Sequence, residues 1–310
     1  MTFRILAATL LLSLAPLGHA AITGIDLSSY RLTRTMSIGA SMLPNGSESS
    51  AITYNSVART LFVIDDEGVA ISQFTTAGAF VNRMQLSGFG VAATGDPEGL
   101  TYIGNSQFVI AAERALTLYR VTFDPTTTPD RLALPSVVLA VPPVGNIGIE
   151  GVSFDPRDGS FVTVKEKTPI QINRNVVTFS VPGVSPGSAV VTSLFDPALL
   201  GPLDDLADVQ VLSTVPGLSG TPAADQLLLL SQESRRLLHT TRSGQVLGSL
   251  DLTGIATSAE GVTIDENGVI YVTDETPNIY VFEPTVVPVP GAALLLLSGL
   301  GFLGLARRRR

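Results

Sequence analysis

The sequence predicts an all-β chain folded as a β-propeller of five blades and closed by an N-terminal strand. Three observations point there. First, a short motif recurs: PEGLTYI at 97–103, IEGVSFD at 149–155 and AEGVTID at 259–265, with weaker copies SSAITYN at 49–55 and ADVQVLS at 207–213. Second, each copy is followed by a turn, a strongly apolar run and a third strand-like stretch, and no long segment shows a capped 3.6-residue period. Third, the copies start at 49, 97, 149, 207 and 259, a regular spacing somewhat wider than the roughly 40–45 residues of many four-stranded propeller blades.

The elements follow in order within each unit. The second strands read TLFVIDDEG, QFVIAAER, SFVTVKEK, QLLLLSQES and VIYVTDET. The third read VAISQFTTAG, LTLYRVTFD, PIQINRNVV, RRLLHTTRSG and PNIYVFEP. Val, Ile, Leu, Phe and Tyr fill these runs, bounded by Gly, Pro, Asn and Asp. DPRDG at 155–159 and DENG at 265–268 are hairpin turns, because Asp, Asn and Gly tolerate positive φ. Fourth strands are FVNRMQLSG, LALPSVVLAV, SAVVTSLFD and QVLGSLDLTG for units one to four. The fifth unit runs out at Glu283, so its outer strand is expected from ITGIDLSSYRLTRTMSIG near the N-terminus, which removes an open edge. A sixth blade within 180–206 is the alternative. PSVVLAVPPVGNIG and STVPGLSGTPAAD, rich in Pro and Gly, are expected as connections or insertions on one face.

The two ends read as addresses. Residues 1–21 carry one basic residue, Arg4, an apolar run from Ile5 to Leu17 and small residues at the end, the pattern of a secretory signal peptide. Residues 285–310 hold an uncharged, Leu-rich stretch from Pro290 to Ala306, at the short limit of a bilayer span, followed by Arg307 to Arg310. The expected domain is therefore 22–284, exported, with the tail initially in the inner membrane.

Composition narrows the chemistry. The ends hold five of the 19 basic residues and none of the 27 acids, so the remainder has 14 basic against 27 acidic residues, a net of −13. Such a surface argues against nucleic acid. There is no Cys, and outside the leader the one histidine is His239. A His-based metal site or triad is therefore unsupported. No Gly-x-Ser-x-Gly elbow, P-loop or dinucleotide fingerprint is present.

Two resemblances add to this. Val287-Pro288-Val289-Pro290, the Leu/Gly-rich span and the terminal Arg cluster resemble the PEP-CTERM sorting signal, with Val289 where that motif usually has Glu. The resemblance implies an exosortase-type membrane protease as partner and release to the cell surface. DPEGLTYIGNSQFVIAAER, IEGVSFDPRDGSFVTVKEK, LLLLSQESRRLL and SAEGVTIDENGVIYVTDE resemble the SdiA-regulated family over about 22–284. That implies a propeller, export to the envelope and a candidate calcium site, and no established reaction.

The repeat also aligns acidic residues. The first-strand register offers Ser50, Glu98, Glu150, Asp208 and Glu260; the position after the second strand offers Glu67, Glu113, Glu166, Glu233 and Glu275. First strands line a propeller's channel, and buried carboxylates need cations, basic partners, backbone amides or protons. Repeated carboxylates capping neighbouring blades are one reading. The sharper one is Ca²⁺ held by Glu98, Glu150, Asp208 and Glu260, since Ca²⁺ takes six to eight oxygens and needs neither Cys nor His. The expected function is a surface or matrix binding module with an unidentified ligand. The alternative is a Ca²⁺-dependent hydrolase of an ester, lactone or phosphate.

Overall fold

The computed structural model describes residues 22–42, 48–67, 69–90, 95–141 and 147–285. The signal-peptide and sorting-tail readings fall on residues outside these. Among the described residues, no helix is long and apolar enough to cross a membrane.

Among the described residues, twenty strands form five four-stranded antiparallel sheets. Blade 1 is β2 (Ala51–Asn55), β3 (Thr60–Asp65), β4 (Ala70–Thr75) and β5 (Phe80–Gln85). Blade 2 is β6 (Pro97–Gly104), β7 (Gln107–Ala112), β8 (Thr117–Thr122) and a short β9 (Ser136–Val138). Blade 3 is β10 (Ile149–Asp155), β11 (Ser160–Lys165), β12 (Gln171–Thr178) and β13 (Ser188–Ser193). Blade 4 is β14 (Asp208–Val211), β15 (Gln226–Ser231), β16 (Arg236–Thr241) and β17 (Val246–Asp251). Blade 5 is β18 (Ala259–Ile264), β19 (Ile270–Asp274), β20 (Asn278–Pro284) and, outermost, β1 (Tyr30–Ser37). β1 runs antiparallel to β20, from Tyr30 opposite Pro284 to Ser37 opposite Asn278.

There is no sixth blade in 180–206: that stretch holds β13 and a 3-10 turn at Pro197–Leu200. Three more 3-10 turns, Leu212–Thr214, Pro216–Leu218 and Pro222–Asp225, occupy the Pro/Gly-rich link between β14 and β15. The predicted hairpin turns are present: Gly159 and Gly268 take φ of 74° and 80°, and the side chains of Asp155 and Asp265 accept from Arg157 N and Asn267 N.

The core lies in five layers, one between each pair of neighbouring blades. This explains why the second strands do not alternate in polarity. In β15, Leu228 and Leu230 pack toward blade 5, while Leu227 and Leu229 pack toward blade 3, and all four are buried. In β3, Phe62 and Ile64 face blade 2 and Leu61 and Val63 face blade 5. A strand covered on both faces is apolar throughout.

A polar seam joins the first strands. The Oγ1 of Thr53 accepts from Tyr102 N (3.2 Å), that of Thr101 from Phe154 N (3.1 Å), and Ser153 Oγ from Val211 N (2.9 Å). Gln210 Oε1 accepts from Thr263 Oγ1 (3.0 Å), and Thr263 Oγ1 accepts from Tyr54 N (3.0 Å). Each bond crosses from one blade to the next, and the fifth returns to blade 1. The acceptor side chains are buried, so the four bonds that start from a backbone N–H each also spare an orphaned backbone donor.

Candidate functional site

One end of the channel opens into a cavity of about 240 Å³ lined by carboxylates. The geometry starts from a Glu-Gly pair. In blades 2, 3 and 5 the first strand shifts register between Pro97 and Gly99, Ile149 and Gly151, and Ala259 and Gly261. The residue bulged out of each ladder is Glu98, Glu150 or Glu260, and a bulge re-aims its side chain. The following glycine lets the next blade come close. A Cβ on Gly151 would lie 2.5 Å from Asp208 Oδ1, and one on Gly261 would lie 2.7 Å from Ile52 N.

Three tiers of side chains result. The bulge tier is Ser50, Glu98, Glu150, Ala207 and Glu260. Just beyond the second strands stand Asp66, Glu113, Glu166, Gln232 and Glu275. Two residues before the bulge tier, Glu48, Asp96 and Asp205 also line the cavity. Among the described lining residues, ten carboxylates face one arginine, Arg114.

The expected metal set is thus corrected in one member. Glu98, Glu150 and Glu260 share the mouth, but Asp208 does not line it. Asp208 pairs with Leu230, whereas Gly151 pairs with Val164 and Gly261 with Thr273; these partners each sit two residues before the tier of Gln232, Glu166 and Glu275. Asp208 therefore occupies the glycine register, and Ala207 the glutamate register. Its carboxyl is buried between blades, accepting from Val262 N (2.8 Å) and Val209 N (2.7 Å), and burial holds its pKa well above the usual carboxylate range. The second register is corrected likewise. Asp66 and Gln232, rather than Glu67 and Glu233, line the cavity, because the last strand residues are Asp65 and Ser231.

Two trios bring their carboxylate oxygens within 4.8 Å of one another: Asp66, Asp96 and Glu98, and Glu113, Glu150 and Glu166. Burial first, and neighbouring carboxylates second, raise Glu98, Glu150 and Glu260 well above the usual range. Glu113 is pushed up to about 7 by burial and then by Asp96, and lies within hydrogen-bonding reach of both Asp96 and Glu150. Burial also raises Asp66 and Asp96, the latter opposed by the Arg114 guanidinium at 2.9 Å.

On blade 4 two of the three tiers carry neutral residues, Ala207 and Gln232, and the third carries Asp205. Gln232 Nε2 donates to the carboxylates of Glu260 and Glu275, and Asp205 accepts from Ser231 Oγ and Glu233 N. The donor set of the mouth is all oxygen. His239 lies elsewhere, in β16 against Gln226 Oε1 at 2.8 Å. Oxygen-only, carboxylate-rich surroundings suit a hard divalent cation such as Ca²⁺.

The tier of Glu48, Asp96 and Asp205 was missed at the level of sequence. Its only signal is an acid two residues before the motif, in GDPEG and DDLADV, where Asp reads equally well as a turn residue.

The fold is shared widely. A glutaminyl cyclase from Myxococcus xanthus superposes with a TM-score of 0.51 at 12% identity, over 82% of this chain and 95% of that one. A luciferin-regenerating enzyme gives 0.46 at 10% identity over 82% and 96%, and a virginiamycin B lyase from Staphylococcus aureus gives 0.40 at 13% over 77% and 68%. At 12% identity the likeness to the glutaminyl cyclase concerns the fold alone. The SdiA-regulated family model matches residues 27–283, nearly the whole propeller with its repeated Glu-Gly bulges, and the chain belongs to that family.

Proposed function

We propose that this protein is an exported β-propeller binding module that holds a divalent cation, Ca²⁺, among the carboxylates of its acidic mouth. The observation that supports this is the imbalance of ten carboxylates to one arginine in a single cavity. Ionised carboxylates so placed repel one another and lose hydration; a cation with oxygen affinity relieves both costs. In this reading the residues at 1–21 direct export, and the tail at 285–310 is cut near Val287–Pro290 by an exosortase-type protease. The module then works at the cell surface on an unidentified ligand. The β1–β20 pairing closes the ring, so a chain begun after Ser37 is expected to lose its cooperative melt.

Thermal melts of the purified protein with Ca²⁺, Mg²⁺ or chelator test the cation. Binding to the folded state alone adds RT ln(1 + [L]/Kd), about 2.7 kcal/mol at a hundredfold excess over Kd. A midpoint unmoved by millimolar Ca²⁺ removes the reading. Mass spectrometry of the released protein tests the address: a form that keeps the Leu-rich span makes the tail an anchor.

A second reading, a Ca²⁺-dependent hydrolase of an ester, lactone or phosphate, draws on one observation. The carboxylates line a cavity open to solvent rather than a sealed one, so a substrate oxygen could reach the cation. Chelator-sensitive hydrolysis across those three substrate classes would favour it, and its absence would leave the binding module.

A further inference from the structure

The strands of each blade run between the two ends of the channel, so every turn belongs to one face. Turns after second strands stand at the acidic mouth; turns after first and third strands stand on the far face. Both ends of the described propeller leave on the far face. β20 runs from Asn278, on the mouth side, to Pro284, which pairs with Tyr30 of β1. One residue on, Thr285 N and Oγ1 both donate to Ser29 O at 2.8 Å. Ile22 lies against Gly268, in the far-face turn of blade 5, and Gly217, in the link of blade 4.

The faces differ in charge as well. On the far face Glu266 pairs with Arg59 at 3.2 Å and Asp158 with Arg174 at 2.7 Å. Asp225 meets Arg157 at 2.9 Å and Arg242 at 3.2 Å, and both arginines also hold Asp155. These four acids are matched by four arginines. The far-face turns also leave Val57 and Val184 82% and 81% exposed, with Val181 and Phe80 about half exposed. Matched charge with exposed apolar side chains suits the headgroup layer of a bilayer. An anionic lipid surface repels a mouth crowded with carboxylates.

Length decides the same way. After Thr285, four residues, 286–289, precede the uncharged stretch that starts at Pro290. Five Cα steps reach at most about 18 Å. The headgroup layer takes about 5–7 Å of that on each side of a bilayer. The seven steps back from Thr285 to Asn278 along β20 cover about 23 Å. With the stretch from Pro290 seated in a bilayer, the tether is too short to lay the mouth on the lipid, and it brings the far face there.

We propose that in the tail-bearing form the far face lies on the lipid surface and the acidic mouth opens away from it. This rests on the tail reading above and adds the direction in which the site faces. A ligand then reaches the mouth from the aqueous side before the tail is cut.

The chain has no Cys, so single cysteines report single positions. Val57→Cys and Val184→Cys mark the far face, and Thr276→Cys, exposed in the turn after the second strand of blade 5, marks the mouth side. Each full-length variant is labelled with a fluorophore and reconstituted in vesicles of phosphatidylethanolamine and phosphatidylglycerol that carry a spin-labelled headgroup lipid. Melts of the labelled proteins check folding. Strong quenching is expected at 57 and 184, and at 276 no loss of emission beyond that in unlabelled vesicles. Equal quenching at all three, or the strongest at 276, overturns the orientation and leaves the membrane-held tail intact. Protein that does not float with the vesicles overturns both. Should one far-face variant fail to fold, the other decides.

Discussion

The two ends of the channel are built from the same five strands, three residues apart, and behave in opposite ways. At the far end Thr53, Thr101, Ser153, Gln210 and Thr263 hand hydrogen bonds from blade to blade, around a cavity of only about 40 Å³. At the mouth, three positions earlier stand Ser50, Glu98, Glu150, Ala207 and Glu260, and the three glutamates put carboxylates into a space six times larger. A hydroxyl donates and accepts, so a ring of hydroxyls facing backbone amides satisfies itself. An ionised carboxylate only accepts, so a ring of carboxylates needs donors or cations from elsewhere. The far end satisfies its own polar groups; the mouth gathers acids that outnumber the basic groups lining it.

Substitutions can break this contrast. The largest effect is expected where the two tiers are held in register. Gly151→Ala sets a methyl 2.5 Å from Asp208 Oδ1 and 2.6 Å from its Cα, both fixed by the buried pairing of β14 with β15. A loss of about 3 kcal/mol or more is expected in urea melts, since backbone must move. A loss below about 1 kcal/mol would mean the blades slide apart easily.

Next comes the seam. Thr101→Val keeps the shape but leaves Phe154 N without its acceptor, at an expected cost of about 1–3 kcal/mol, with the Ca²⁺ response unchanged. A changed Ca²⁺ response would show that the two ends are coupled.

The mouth should respond with the opposite sign. Glu150→Gln removes a buried charge and is expected to raise stability in chelator at pH 8 by about 1 kcal/mol. The pH dependence sharpens the same point. Glu113 is raised from 4.5 to about 7, so the folded state binds its proton more tightly than the unfolded state does. Its stabilisation is complete below pH 4.5 and is lost as pH rises toward 7. Asp155 and Asp158 are lowered from 3.8, so their contribution is lost only in more acid solution. The chelated protein should therefore melt lower at pH 8 than at pH 5, and Ca²⁺, which binds ionised carboxylates, should narrow that gap. A chelated melt that rises with pH would contradict the arrangement of the mouth.

Much of this was legible in the chain. The five units and their turns follow from apolar runs and Gly/Asp punctuation, which depend on local residues alone. Glu98, Glu150 and Glu260 were legible because a Glu-Gly pair repeats. Asp208 was misread because alignment by letter cannot see a bulge: Ala207-Asp208 looks like a degenerate Glu-Gly, but the pairing with Leu230 puts the acid on the glycine's side. Asp66 and Gln232 were displaced by one for the same reason, since a one-residue shift in a strand turns a side chain to the other face.

What the sequence by itself determined is the number of blades, the strand order and the acidic excess, all of which are properties of periodicity and composition. Only the tertiary structure decided which acids meet and which of them find a donor, as Asp208 does at Val262 N and Val209 N. Strand periodicity is a local property, read along the chain. Whether a buried oxygen is satisfied depends on groups from other blades, and only the closed ring brings those within reach.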